Sequence, residues 1–106
     1  WTKKSDSLVF GPLELEPLTR KVSLDGEEIK LLKKEFDVLE LLMRSPSECF
    51  STDALLEKLW GGDTTVGSDA VFQCIRRLRR KLDQRGAKSL IVQEHGHGYR
   101  LNSNLQ

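Results

Sequence analysis

The sequence predicts an α+β domain, with an antiparallel sheet at the start, three helices through the middle and a β-hairpin at the end. Three observations predict it. Apolar and polar residues alternate through much of the first 31 positions. Apolar residues then recur at helical spacing between about 33 and 82, and two strand-like runs finally flank a glycine-punctuated turn at 95–98.

The sheet rests on short alternating runs. Leu8-Val9-Phe10-Gly11-Pro12-Leu13-Glu14-Leu15 alternates after Pro12, and Lys21-Val22-Ser23-Leu24 alternates in the same way. Asp25-Gly26 is a hairpin turn signal leading into Ile29-Lys30-Leu31. A helix is expected from about Lys33 to Arg44, with Phe36, Leu39, Leu42 and Met43 on one side and Ser45-Pro46 as its stop. Leu32 stands where a capping Ser, Thr or Asp is usual, although Glu35 suits the positive first turn. Ser51 or Thr52 is placed to cap a second helix through Leu55, Leu56, Leu59 and Trp60. Gly61-Gly62-Asp63-Thr64-Thr65-Val66-Gly67 cannot continue that helix, and Ser68 is expected to cap the third. Leu90-Ile91-Val92-Gln93-Glu94 and Tyr99-Arg100-Leu101 then form the hairpin around His95-Gly96-His97-Gly98. Phe36, Leu39, Trp60, Ile75, Leu78 and Tyr99 are expected to share one core.

The third helix carries the chemistry. Val71, Ile75, Leu78 and Leu82 recur at spacings of four, three and four, which is one side of a helix. At about 100° per residue, Asp69, Gln73, Arg76, Arg77 and Arg80 fall on the other side. Such a face suits the DNA major groove, where Arg can fork onto guanine and Gln can pair with adenine. A solvated charged face is the plainer reading of the same pattern.

Net charge supports a localised site. The whole chain has a formal charge of only +1, but residues 1–65 hold 9 basic and 13 acidic side chains while residues 66–106 hold 8 and 3. Positive charge concentrated in the last third is the footprint expected for a polyanion. A length of 106 residues and 38% hydrophobic content describe one globular domain with a real core. No apolar run approaches the roughly 18 residues that span a bilayer, and no signal peptide is visible. Cys49 and Cys74 form no disulfide framework, so a cytoplasmic location is expected. The chain starts at Trp1 rather than Met, and residues 1–7 read as the end of a linker, with the domain at 8–106. Catalysis finds no support, since no nucleophile or phosphate-loop motif is present and the carboxylates are scattered. No cofactor is expected, and His95 with His97 would supply too few ligands for a metal.

Two helices joined by a short loop, the second basic and followed by a hairpin, make a winged helix-turn-helix. The motifs are also familiar. Leu31-x-x-x-Glu35-Phe36-x-x-Leu39-x-x-Leu42 is followed by Phe50-Ser51-x-x-x-Leu55-x-x-x-x-Trp60. Ile75-Arg76-Arg77-Leu78-Arg79-Arg80-Lys81-Leu82 and Gly96-x-Gly98-Tyr99-Arg100-Leu101 complete the order. Together, over roughly residues 8–102, they resemble the C-terminal effector domain of OmpR/PhoB-type two-component response regulators.

That resemblance implies sequence-specific binding to double-stranded DNA and transcriptional regulation, as the output half of a switch whose N-terminal receiver domain is missing from this chain. Gln73, Arg77 and Cys74 are the expected base-reading residues, and Arg76, Arg79, Arg80 and Ser68 the expected phosphate contacts. His95, Gly96, His97 and Tyr99 form the expected minor-groove wing. The loop Gly61 to Gly67 corresponds to the segment implicated in contacting RNA polymerase. The isolated domain is expected to be monomeric, and two copies to sit in tandem on direct-repeat half-sites about one DNA turn (roughly 10–10.5 bp) apart. The sequence departs from the family's habits at several points. His95 holds a position where Arg is common, Cys74 one where His is common, and Asp69 one where Arg is frequent. The rival reading is a winged helix used for protein–protein contact, with Arg79 and Lys81 as intramolecular salt-bridge partners.

Overall fold

The computed structural model describes residues 7–61, 65–83, 90–94 and 96–102. Alternation in the first part of the chain produces four strands, β1 (Leu8–Phe10), β2 (Leu13–Glu16), β3 (Lys21–Leu24) and β4 (Glu27–Ile29), paired antiparallel in chain order. Their register sets Leu8, Leu15, Val22 and Ile29 in one row and Phe10, Leu13 and Leu24 in another. These seven face the core, and all but the partly covered Leu8 are buried. Val9, Glu14, Ser23 and Glu28 form an intervening row on the outer face, as a period of two requires.

Two details differ from the sequence expectation. The run from Leu8 to Leu15 is two strands, because Gly11-Pro12 turns the chain between them. The last strand begins earlier than expected and ends at Ile29. Asp25 and Gly26 both take positive φ, 53° and 86°, the two-residue turn whose twist matches the strands it joins.

Helix α1 (Lys33–Arg44) has the expected bounds. Its buried face is wider than the expected stripe, because Val38 and Glu35 join Phe36, Leu39, Leu42 and Met43. The reason is position. α1 packs at once against α2 (Thr52–Trp60), α3 (Ser68–Asp83), β1 and the C-terminal strand Gly98–Leu101, so more of its circumference is covered. Leu32 has no acceptor to offer the helix, but its N–H donates to the Glu35 carboxylate at 2.9 Å, which is half of a capping box.

Ser51 is the cap of α2, its hydroxyl oxygen accepting from Ala54 N–H at 3.0 Å. The helix closes at Gly61, whose N–H donates to Glu57 O at 3.1 Å. Leu55 is the one fully buried residue of α2, and Leu56, Leu59 and Trp60 are partly exposed. Trp60 shares the core, as expected, without being wholly enclosed. As the last residue of α2 it packs one side against the core while the Lys34 ammonium sits 5.2 Å from its ring centroid. The same Lys34 ammonium donates to the Leu59 carbonyl, satisfying an end of α2 that has no helical partner.

β5 (Ile91–Glu94) and β6 (Gly98–Leu101) form the terminal hairpin. Its anchorage goes beyond what the sequence predicts. Phe50 and Tyr99 exchange two backbone hydrogen bonds of 2.8 Å, so the segment between α1 and α2 adds a third strand position beside β6. Phe36, Leu39, Ile75, Leu78 and Tyr99 are all buried in one core, as expected. Residues 1–6 of the expected linker lie outside the described residues; the Ser7 hydroxyl donates to Glu16 at 3.3 Å.

Candidate nucleic-acid interface

The apolar stripe of α3 fixes which way its charges point. Val71, Cys74, Ile75, Leu78 and Leu82 are buried, and Asp69, Phe72, Gln73, Arg76, Arg77, Arg79, Arg80 and Asp83 are exposed. A 16-residue helix is about 24 Å long at 1.5 Å per residue, so its outer face can follow a groove for several base pairs. Arg76, Arg79 and Arg80 line one shallow depression with Asp83, and among the described residues these three arginines make no ion pair. Three solvated guanidinium groups on one flank are attractive to a polyanion.

Arg77 differs. It lies on the flank facing α1, half exposed, with Nε 3.7 Å from Oε2 of the buried Glu35. Lys81 lies further round, and its ammonium donates to Glu35 Oε1 at 2.6 Å and to Lys30 O at 3.2 Å. Of the two salt-bridge partners that the protein-contact reading names, Lys81 forms an internal salt bridge and Arg79 forms none among the described residues.

Two expected contacts are corrected. Cys74 is only 3% exposed and its thiol is pushed up to about 11, by burial first and then by the Glu35 charge. It packs under the helix, three positions after Val71 and four before Leu78, and cannot reach a base edge. A thiol so protonated also fails as a thiolate nucleophile near neutral pH. In the folded domain at pH 8, Cys74 should resist iodoacetamide, and alkylation as fast as in urea would contradict its burial.

Tyr99 is 5% exposed, in the core and bonded through its backbone to Phe50, so it anchors the wing rather than lining a groove. Ser68 is exposed and is the first residue of α3; Gly67 occupies the position before it, its carbonyl accepting from Ala70 N–H at 3.0 Å.

Gly96 and His97 are exposed at the hairpin turn, which His97 N–H closes on Glu94 O at 2.9 Å. His95 lies outside the described residues, as do Gly62, Asp63 and Thr64 of the α2–α3 loop. Thr65 and Gly67 of that loop are exposed and Val66 half-buried. Arg100 spans the hairpin to Glu94 at 3.0 Å, which uses its charge inside the wing.

Sequence reasoning missed one residue on this surface and one buried behind it. Phe72 is a 45% exposed aromatic on α3, bordering a depression shared with Ser51, Thr52, Gly96 and His97. Its position one step off the apolar stripe was the available signal. Glu35 gave no local signal as a partner of α3, because 46 residues separate it from Lys81.

Comparison with known proteins decides the family. The profile described as "Transcriptional regulatory protein, C terminal" matches residues 26–101. The chain belongs to that family, the effector domains of OmpR/PhoB-type response regulators. Such an effector domain recurs in the transcriptional regulatory protein CutR of Streptomyces coelicolor, 43% identical over 89 residues, or 84% of this chain and 40% of CutR. Protein RcaC of Microchaete diplosiphon is 39% identical over 97 residues, covering 91% of this chain and 15% of RcaC. The chain thus spans less than half the length of these relatives. The DNA-binding domain of Klebsiella pneumoniae RstA, solved in complex with the RstA box, matches with a TM-score of 0.79 at 30% identity, over 93% of this chain and 99% of that one. The three helices, the four-stranded sheet and the terminal hairpin of this effector domain are therefore those of a winged helix.

Proposed function

We propose that this domain binds duplex DNA in a sequence-dependent way and acts as the output module of a two-component transcriptional regulator. The observation that carries the reading is the outer face of α3, where Gln73, Arg76, Arg77 and Arg80 stand exposed above a buried stripe. α3 enters the major groove, with Gln73 and Arg77 at base edges and Arg76, Arg79 and Arg80 on phosphates. Ser68, at the positive end of α3, serves as a further phosphate contact. The wing turn at His95, Gly96 and His97 reaches the adjacent minor groove. The receiver domain, pairing of two copies on direct repeats, and contact of the Gly61–Gly67 loop with RNA polymerase complete the reading. In that setting the regulator works in the cytoplasm; no helix among the described residues is long and apolar enough to cross a membrane.

Selection of bound duplexes from a random pool provides the preferred site. On it, Arg77→Ala should weaken binding by about 1–3 kcal/mol and relax preference at one base pair. Equal weakening on every sequence would make Arg77 a phosphate contact instead. Arg76→Ala and Arg80→Ala should each reduce the slope of log Kobs against log salt by about one unit while leaving base preference intact. An unchanged slope removes that residue from the phosphate contacts. A domain that binds no duplex at low salt would favour a protein-binding role.

A further inference from the structure

Glu35 is a buried carboxylate at the back of the reading helix. It is 1% exposed, and its two oxygens are used differently. Oε1 accepts from Leu32 N–H and from Lys81 Nζ. Oε2 is shielded from solvent and has no hydrogen-bond partner among the described residues. A buried carboxylate oxygen without a donor is costly, so the site favours any donor that can reach it. Arg77 on α3 is that donor, with Nε 3.7 Å away, longer than a hydrogen bond and within ion-pair range.

The atom that faces Glu35 matters. A guanidinium is planar, with Nε–H on one edge and the two terminal amines at the far end. With Nε the nitrogen paired with the carboxylate, the end-on fork of the two Nη amines, the part that meets guanine O6 and N7, is left for DNA. Arg76 and Arg80 have no carboxylate partner among the described residues and must lose their side-chain freedom wholly on binding.

We propose that Glu35 is a positioning residue for base reading. Its buried Oε2 engages the Nε–H of Arg77 and holds the terminal amines of that arginine toward the major groove. The inference rests on the reading that Arg77 reaches a base edge. Lys81 stays on the other oxygen of the carboxylate as its cationic partner while Arg77 is engaged with DNA.

The test compares wild type, Glu35→Gln, Arg77→Ala and the double variant. Each is titrated with the selected duplex, with a duplex changed at the base pair where Arg77→Ala loses preference, and with random duplex. In Glu35→Gln, discrimination at that base pair should fall about three- to ten-fold, while random duplex is bound at least as strongly because a negative charge is gone. In the Arg77→Ala background the same substitution should leave discrimination where it was. Unchanged discrimination in Glu35→Gln, or an equal loss on all three duplexes, overturns the proposal while leaving Arg77 as a reader. If Arg77→Ala itself relaxes no position, the underlying reading falls and the proposal with it. A measurement on the wild-type domain keeps the test independent of variant folding. The Arg77 Nε–H resonance should exchange with water more slowly than those of Arg76 and Arg80, and equal exchange would overturn the proposal.

Discussion

Replacing Gly98 by alanine should unfold the wing and destabilise the domain by about 3 kcal/mol or more. Gly98 has φ +126°, a region that side chains rarely occupy, and a Cβ there would stand 2.0 Å from the Phe50 carbonyl oxygen and 2.7 Å from the Ser51 Cα. These are backbone atoms of the strand position that holds the hairpin, so no side chain can move aside. The chain must separate instead, losing the two 2.8 Å bonds between Phe50 and Tyr99. Gly96 is the control in the same motif. It also has positive φ, +79°, but nothing lies within 4 Å of an added Cβ. Gly96→Ala should therefore show only the conformational penalty, about 1 kcal/mol. Urea denaturation of both variants measures the difference, and equal, small losses would show that the close approach at Gly98 is not required.

Leu78→Ala should cost roughly 2–5 kcal/mol, through lost burial and the cavity left behind. Leu78 is fully buried on the side of α3 opposite the arginines, where α3 packs against α1 and α2. The substitution removes no atom from the outer face, so any loss of DNA binding should follow loss of folded protein. A thermal melt followed by DNA titration well below the transition separates the two. A melt near that of wild type would show that α3 does not seat on this residue. Binding lost in a fully folded variant would show that the outer face depends on more than how the helix is seated.

The contrast between what was legible in the sequence and what was not follows from distance along the chain. The span of α1 was readable because its start, stripe and stop are local signals, with Ser45-Pro46 ending it at Arg44. The turn at Asp25-Gly26 and the cap at Ser51 were readable for the same reason. The bridge from Phe50 to Tyr99 and the carboxylate Glu35 behind Arg77 and Lys81 join residues more than 40 positions apart, and no periodicity encodes them. Cys74 shows a subtler failure. Family habit placed it among base readers, whereas the wheel position between Val71 and Leu78 assigns it to the buried side. Trp60 packs on the core as expected, but at a helix end, where the Lys34 ammonium also stands 5.2 Å from its ring centroid.

The outer face of α3 is the proposed surface for DNA. Titration of the 15N-labelled domain with the selected duplex, followed by amide and arginine side-chain chemical shifts, tests it most directly. The largest changes should fall at Gln73, Arg76, Arg77 and Arg80 and at Gly96 and His97 of the wing, with the outer row of the N-terminal sheet, Glu14, Ser23 and Glu28, unmoved. Changes centred on that sheet or on the exposed side of α1, with α3 silent, would contradict it.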